Sequence, residues 1–283
     1  NDTWMTDSGR ELYKLVKSDS RIRRPSFQGS DLPLDDAISQ AFETLRNKKI
    51  GVVASCHSTL EEQFLIKRLV EKTGAKVFIR GHFGEDDGIL LSADRTPNLR
   101  GALVTELTTH YPSDHLNELN DSISDGHIEA LLVIGENLQE SGVNEDNLKK
   151  VSLVFLGTHQ NSTSDGADVV LPGLTVFEKS GSLINRSFFL QSFEQAIPGP
   201  AGLMTDFKIL ARLNNLFSED SSAPSELDEI WKALSTTETS VLKGITFLKI
   251  KKGAIQLDGS KWEDLSFVEK EALHHLPAGV TAS

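Results

Sequence analysis

From Leu32 onward, apolar residues fall at helical spacing: Leu34, Ile38, Ala41, Phe42 and Leu45 share one face, with polar residues between them. Asp31 stands as a candidate cap, and Pro33 suits an early helical position. The pattern then changes. Ile50-Gly51-Val52-Val53-Ala54 is an unbroken apolar run, which marks a strand buried on both faces. Leu60, Phe64, Leu65, Leu69 and Val70 return to helical spacing until Gly74 ends the helix, and Lys76-Val77-Phe78-Ile79 is the next strand. After a loop rich in Gly and Asp (80–100), Ala130–Ile134, Ser152–Leu156 and Ala167–Pro172 each read as a further strand. Strand, helix and strand in this rhythm predict βαβ units and a parallel sheet. The expected fold class is α/β, an open, doubly wound, mostly parallel sheet over residues 31–217.

The two ends differ from this middle. Residues 1–30 hold few apolar side chains, chiefly Trp4, Met5, Leu12, Tyr13, Leu15 and Val16, around a short helix near 9–17. A segment with so little to bury is expected to lean on a neighbour, and it reads as a connector. Ser218–Ser225 reads as a linker into a small C-terminal α+β extension over 218–283. That extension is predicted to hold a helix near Glu226–Leu234 and a hairpin pairing Gly244–Lys251 with Ala254–Leu257. Asn1 opens the chain without an initiator Met or a signal pattern, so a longer natural polypeptide is expected.

Composition narrows the function classes. The 283 residues are 38% hydrophobic and 25% charged, a globular composition. With 29 basic against 41 acidic residues the net charge is −12, which argues against nucleic acid or an anionic membrane as the main partner. No apolar run is long enough to span a bilayer. The single cysteine, Cys56, excludes an internal disulfide, a cluster held by four thiolates and a cysteine-rich zinc site.

In a parallel sheet, ligand sites lie in the loops after the carboxyl ends of the strands. These are Ser55–Thr59, Gly135–Ser141 and Gly157–Asp165. The second offers a glycine with Asn and Ser donors, but it lacks both GxGxxG and the Walker A pattern. An ordinary capped strand-to-helix turn is the better reading of it, and the same holds for Gly157–Thr163. Candidates for a degenerate pocket are Gly135, Asn137, Ser141, Thr158, Thr163 and Asp168. Cys56 at a strand-to-helix junction is read as a small buried residue rather than a nucleophile. The eight histidines are scattered apart from His274-His275, whose adjacent side chains diverge, and the acidic Glu85-Asp86-Asp87-Gly88 loop matches no calcium spacing. No metal site and no catalytic residue is expected in this chain.

Several motifs carry a resemblance. Asp165-Gly166-Ala167-Asp168-Val169-Val170-Leu171-Pro172 runs on through Phe177-Glu178-Lys179-Ser180-Gly181-Ser182-Leu183-Ile184-Asn185. Gln191, Ala196, Pro198-Gly199 and Asp206-Phe207-Lys208-Ile209-Leu210 follow in order. This resembles the signature of the molybdopterin oxidoreductase superfamily. Trp4–Arg10 with Tyr13 resembles the segment that ends the family's iron–sulfur domain, and Ser58–Leu65 resembles its T-N-E-E-x-Y-L stretch. Ser92–Ala102 is similar to a motif of one branch, the large iron–sulfur subunit of NADH-quinone oxidoreductase, respiratory complex I. The departures are informative. Thr6 stands where the family has Cys, Phe78–Gly84 offers no Cys or Ser where active enzymes carry a metal ligand, and Asn185–Phe189 replaces N-x-E-G-R.

The resemblance implies a non-catalytic domain of the peripheral arm. Its partners would be other complex I peripheral-arm subunits and a preceding iron–sulfur domain, with no nucleic acid and no direct membrane insertion. It would face the cytoplasm or matrix, and it would hold no cofactor itself, the iron–sulfur clusters lying in the parent subunit outside this segment. A fragment of a molybdenum or tungsten oxidoreductase such as a formate dehydrogenase is the first alternative. A stand-alone nucleotide-binding or regulatory α/β module is the second.

Overall fold

The computed structural model describes residues 7–85, 87, 92–218, 223–236 and 240–265. Its elements in chain order are α1 (Asp7–Glu11), a 3-10 turn (Leu12–Lys17), β1 (Ser26–Phe27), β2 (Ser30–Asp31), α2 (Leu34–Leu45), β3 (Ile50–Ser55), α3 (Leu60–Thr73) and β4 (Lys76–Arg80). Then come α4 (Leu99–Val104), α5 (Asn117–Ser124), β5 (Ala130–Ile134), α6 (Glu145–Leu148), β6 (Ser152–Gly157), α7 (Ser162–Asp165) and β7 (Val169–Pro172). The last are β8 (Gly181–Ile184), β9 (Phe189–Phe193), α8 (Asp206–Leu216), α9 (Leu227–Thr236), α10 (Phe247–Lys251), β10 (Ile255–Gln256) and a second 3-10 turn (Ser260–Trp262).

Seven strands form the main sheet in the order β2-β1-β7-β6-β5-β3-β4, parallel from β7 to β4. The apolar runs become its buried centre, with every residue of β3 and β5 buried. Because a strand alternates its faces, each run feeds two cores. Val52, Ala54, Leu132, Ile134, Val154 and Leu156 face the layer of α2, α3 and α8. Val53, Leu131, Val133, Leu153 and Phe155 face the side of α5. Helices therefore cover both faces, as the doubly wound expectation requires. α3 begins in a capping box: Thr59 Oγ1 accepts from Glu62 N–H, and Thr59 N–H donates to Glu62 Oε2. Gly74, at φ 65°, ends it in the left-handed region.

Several local expectations differ from what forms. Asp31 does not cap α2; it lies in the β1–β2 hairpin, and Pro33 occupies the capping position without a side-chain bond. β1 pairs antiparallel with β7, so the main sheet already begins at Ser26, inside the segment read as a connector. Residues 247–251 are helical and not a hairpin strand. Phe247 and Ile250, three apart, are both buried, and Thr246 caps the turn by accepting from Lys249 N–H. β10 pairs instead with β9, giving a second, three-stranded antiparallel sheet, β10-β9-β8. The C-terminal extension is thus stitched to the α/β body. The segment near 9–17 is a short helix followed by a 3-10 turn, and Leu12, Tyr13 and Leu15 are exposed. No helix among the described residues is long and apolar enough to cross a membrane. Trp4 and Met5, and the His274-His275 pair, lie outside the described residues.

Candidate functional site

The parallel strands run β4-β3-β5-β6-β7, so the chain passes from β3 outward to β4 on one side and to β5 on the other. The sheet splits its connections between β3 and β5, and a crevice opens outside the carboxyl ends at such a switch point. Three strand ends deliver side chains there. β3 leads into Cys56 and His57, β4 ends at Arg80 and leads into His82, and β5 leads through Gly135 to Glu136. Gly135 turns the chain at φ 71°, a left-handed conformation, directly above Ser55.

Glu136 is buried, and its Oε2 accepts from Arg80 Nη1 at 3.3 Å and lies 2.9 Å from His82 Nε2. Arg80 is held as well by the carbonyls of Asn137 and Asp114, to which Nη1 and Nε donate. The rings of His57 and His82 meet edge to face with centroids 5.1 Å apart. Burial first, then the neighbouring His82 and Arg80, outweigh Glu136 and push the His57 pKa down, although the residue as a whole keeps exposed surface. A neutral imidazole keeps a free lone pair. Behind it, burial and the charges of Asp94 and Glu136 push the Cys56 thiol far up, so it stays protonated and is no nucleophile.

The six sequence candidates fare unevenly. Gly135, Asn137, Ser141 and Thr163 gather around the β5 and β6 loops, but the side-chain oxygens of the last three are bonded within those loops. Asn137 Oδ1 accepts from Ser162 Oγ at 3.0 Å, Thr163 Oγ1 accepts from Leu138 N–H at 2.7 Å, and Ser141 Oγ donates to the Leu138 carbonyl. Thr158 Oγ1 pairs with His159 Nδ1 at 2.8 Å. Asp168 lies at the opposite, amino-terminal edge of the sheet, where Oδ2 accepts from Leu153 N–H at 2.8 Å. The groups that converge on the crevice are not among these candidates. Their one signal in the sequence is position, since Arg80, His57 and Glu136 are polar residues at the end of an apolar run.

The motif residues form a separate, buried polar frame. Lys179 Nζ donates to Glu62 Oε1 at 2.6 Å and lies 3.3 Å from Asp206 Oδ2. Arg21 donates to Glu178 Oε2 at 2.6 Å and to the carbonyls of Thr158 and Gly173. Glu61 accepts from Ser182 N–H, Ser182 Oγ and the Trp231 indole. Asn98 spans three elements, donating to the Ser58 carbonyl and Gln63 Oε1 while its Oδ1 accepts from Ile184 N–H. A separate cleft of ≈ 440 Å³ beside β1 and β7, lined by residues that include Arg23, Arg24 and Gln160, contains none of the six candidates.

Residues 98–216 match the family model described as molybdopterin oxidoreductase. The chain resembles the molybdopterin oxidoreductases. Two curated relatives are each named as the G subunit of NADH-quinone oxidoreductase. One, from Pseudomonas fluorescens, is 27% identical over 171 residues, 60% of this chain and 16% of the relative. The other, from Pseudomonas putida, is 28% identical over 142 residues, 50% of this chain and 14% of the relative. The matched part is thus a small fraction of either relative's length. Among solved structures, the formyltransferase/hydrolase complex FhcABCD from Methylorubrum extorquens contains a chain similar in fold. The TM-score is 0.50 at 10% identity, over 68% of this chain and 98% of that one. Acetylene hydratase from Pelobacter acetylenicus matches at 18% identity and TM-score 0.25, over 56% of this chain and 20% of that one.

Proposed function

We propose that this chain is a non-catalytic, molybdopterin-oxidoreductase-like domain of the large iron–sulfur subunit of complex I. In this reading it gives shape and rigidity to the NADH-oxidising peripheral arm while neighbouring iron–sulfur domains carry electrons toward quinone. The relatives' name supplies the complex. The observation that carries the silent role is the fate of the motif residues. Glu61, Glu62, Glu178, Lys179 and Asp206 are each bonded inside the protein, which is the pattern of a frame and not of a site awaiting a ligand.

The crevice itself does not suit a molybdenum or tungsten pterin. Its cation, Arg80, has donors directed to Glu136, Asp114 and Asn137, and the buried Glu136 carboxylate would repel the anionic dithiolenes and phosphate of such a cofactor. The peripheral partners fit the exposed Leu12, Tyr13 and Leu15 of the amino-terminal segment, a small apolar surface next to the place where a preceding domain would join.

Two measurements on one sample test this reading. The tagged chain, expressed with the other peripheral-arm subunits, should co-purify with NADH-oxidising activity and contain neither molybdenum nor tungsten nor fluorescent oxidised pterin. Near-stoichiometric molybdenum, tungsten or pterin overturns the silent role and favours a fragment of a pterin oxidoreductase. Purification free of every peripheral-arm subunit favours the stand-alone module.

A further inference from the structure

From the convergence at the switch point we infer that His57, His82 and Glu136 form a binding site for one divalent transition-metal ion of the zinc class. The site is unrelated to any pterin, and nothing in the residue spacing announces it. One ligand atom from each residue lies within 4.8 Å of the other two. Each comes from a different strand end, so the sheet brings together residues 25 and 54 positions apart in the chain.

Two observations mark the cluster as more than neighbouring polar groups. First, Glu136 is 1% exposed, yet its Oε1 has no hydrogen-bond partner among the described residues, while Oε2 is fully engaged by Arg80 and His82. An unsatisfied buried carboxylate oxygen costs free energy, and a metal bond would relieve it. Second, the outer contacts expected of ligands are already in place. Arg80 steadies the carboxylate through the oxygen that the ion would not need, and Ser55 Oγ lies 3.5 Å from His57 Nδ1. Metal-binding histidines and carboxylates are commonly oriented by such partners.

The donor set selects the ion class. Two imidazoles and one carboxylate suit Zn2+ and its neighbours, whereas Mg2+ and Ca2+ prefer oxygen alone. With zinc bonds of about 2.0–2.2 Å, tetrahedral ligand atoms lie about 3.3 Å apart, so the trio must close by roughly 1.5 Å. Side-chain rotation supplies this, since His57 is exposed and His82 is 30% exposed while Glu136 stays fixed. The charge is also tolerable, because Arg80 is already compensated by Glu136 and by Glu140 4.0 Å away. Three protein ligands leave a fourth position open on the solvent side of His57, where water completes the shell.

The test is titration of the full chain with Zn2+ in competition with a chromophoric chelator, together with the visible absorption of the Co2+ form. One equivalent should bind with a Kd tighter than about 10 μM, and Co2+ should give the intense bands of a four-coordinate site. His57→Ala, at an exposed position that does not threaten the fold, should weaken binding at least about tenfold, as should His82→Ala and Glu136→Gln. A His274→Ala/His275→Ala double variant should bind like the parent chain. Binding weaker than about 100 μM, loss in the double variant, or unchanged binding in His57→Ala each overturns the site. Zinc without molybdenum or pterin leaves the structural role standing, so the two proposals fail separately.

Discussion

Replacing Lys179 by Met keeps the length of the side chain and removes its charge from the centre of the polar frame. The ammonium lies 2.6 Å from Glu62 and 3.3 Å from Asp206, and all three groups are buried. Burial alone would lower the lysine's pKa, but Asp206 and Glu62 more than offset it and hold the pKa above its usual value. One cation thus serves two carboxylates, and the excess negative charge falls on Glu62. Burial first, and then Asp206, raise its pKa to about 6 despite the attraction of Lys179. Without the lysine, two buried carboxylates face each other uncompensated. Breaking a buried pair in this way costs about 3–5 kcal/mol. At about 2–4 °C per kcal/mol, the melting temperature should fall by roughly 10 °C. The pH dependence is the sharper mark. A raised carboxyl pKa means the folded state binds more protons than the unfolded one, so Glu62 lowers stability as pH climbs from about 4.5 to about 6. In the variant that window extends upward, because Glu62 loses the cation that offsets both its burial and the repulsion of Asp206. Urea unfolding followed by tryptophan fluorescence at about pH 5 and about pH 8 reads the difference. The loss should be large at the higher pH and much smaller at the lower. A loss below about 1 kcal/mol, or one equal at both pH values, refutes the account of the frame.

The remaining predictions concern other parts of the same frame. Trp231→Phe removes the indole N–H that donates to Glu61 Oε1 at 2.8 Å; it should cost about 1–3 kcal/mol and speed hydrogen exchange in α9 before the main sheet. Gly181→Ala would place a Cβ 2.7 Å from Thr59 Cγ2, the capping residue of α3, and 3.2 Å from Glu61 Oε2, and a thermal melt should show about 1–3 kcal/mol lost. Arg21→Met strips the partner from buried Glu178 and should destabilise by about 3–5 kcal/mol, whereas Arg24→Met, at a solvent-screened exposed pair with Asp31, should leave the midpoint of the same denaturant titration unchanged.

The sequence is most readable where one physical signal dominates. Ile50–Ala54 and Ala130–Ile134 read as central parallel strands, because each is a five-residue apolar run, too short for a buried helix of ordinary length, and burial on both faces explains it. Gly74 ends its helix as expected because a left-handed cap needs no partner elsewhere. The small sheet escapes a local reading because β10 has two residues and pairs across 65 positions with Leu190, so no nearby pattern encodes it. The 247–251 helix reads as strand because a short apolar run carries both periods, and only the tertiary burial of Phe247 and Ile250 decides between them. The crevice escapes for a related reason. His57, His82 and Glu136 are isolated residues with no motif spacing, and they meet only because three strands end at one edge.

The residues that make the family legible and the residues that could carry chemistry therefore belong to different sets. The motifs around Glu61-Glu62, Asn98, Glu178-Lys179 and Asp206 fix how α3, α4, α8 and the small sheet dock, through charges and amides too deeply buried to be exchanged singly. A frame of this kind resists substitution because removing any one member strands its partner. The two histidines of the crevice are under less constraint, since His57 and His82 sit at loop positions on the rim of a rigid sheet, where a side chain can change without unfolding the domain. A domain built this way can lose one cofactor's contacts and acquire another ion's ligands while keeping every motif that identifies it. Its motifs therefore report the architecture that the chain shares with its relatives, and chemistry particular to this chain is to be sought at the strand ends at the switch point.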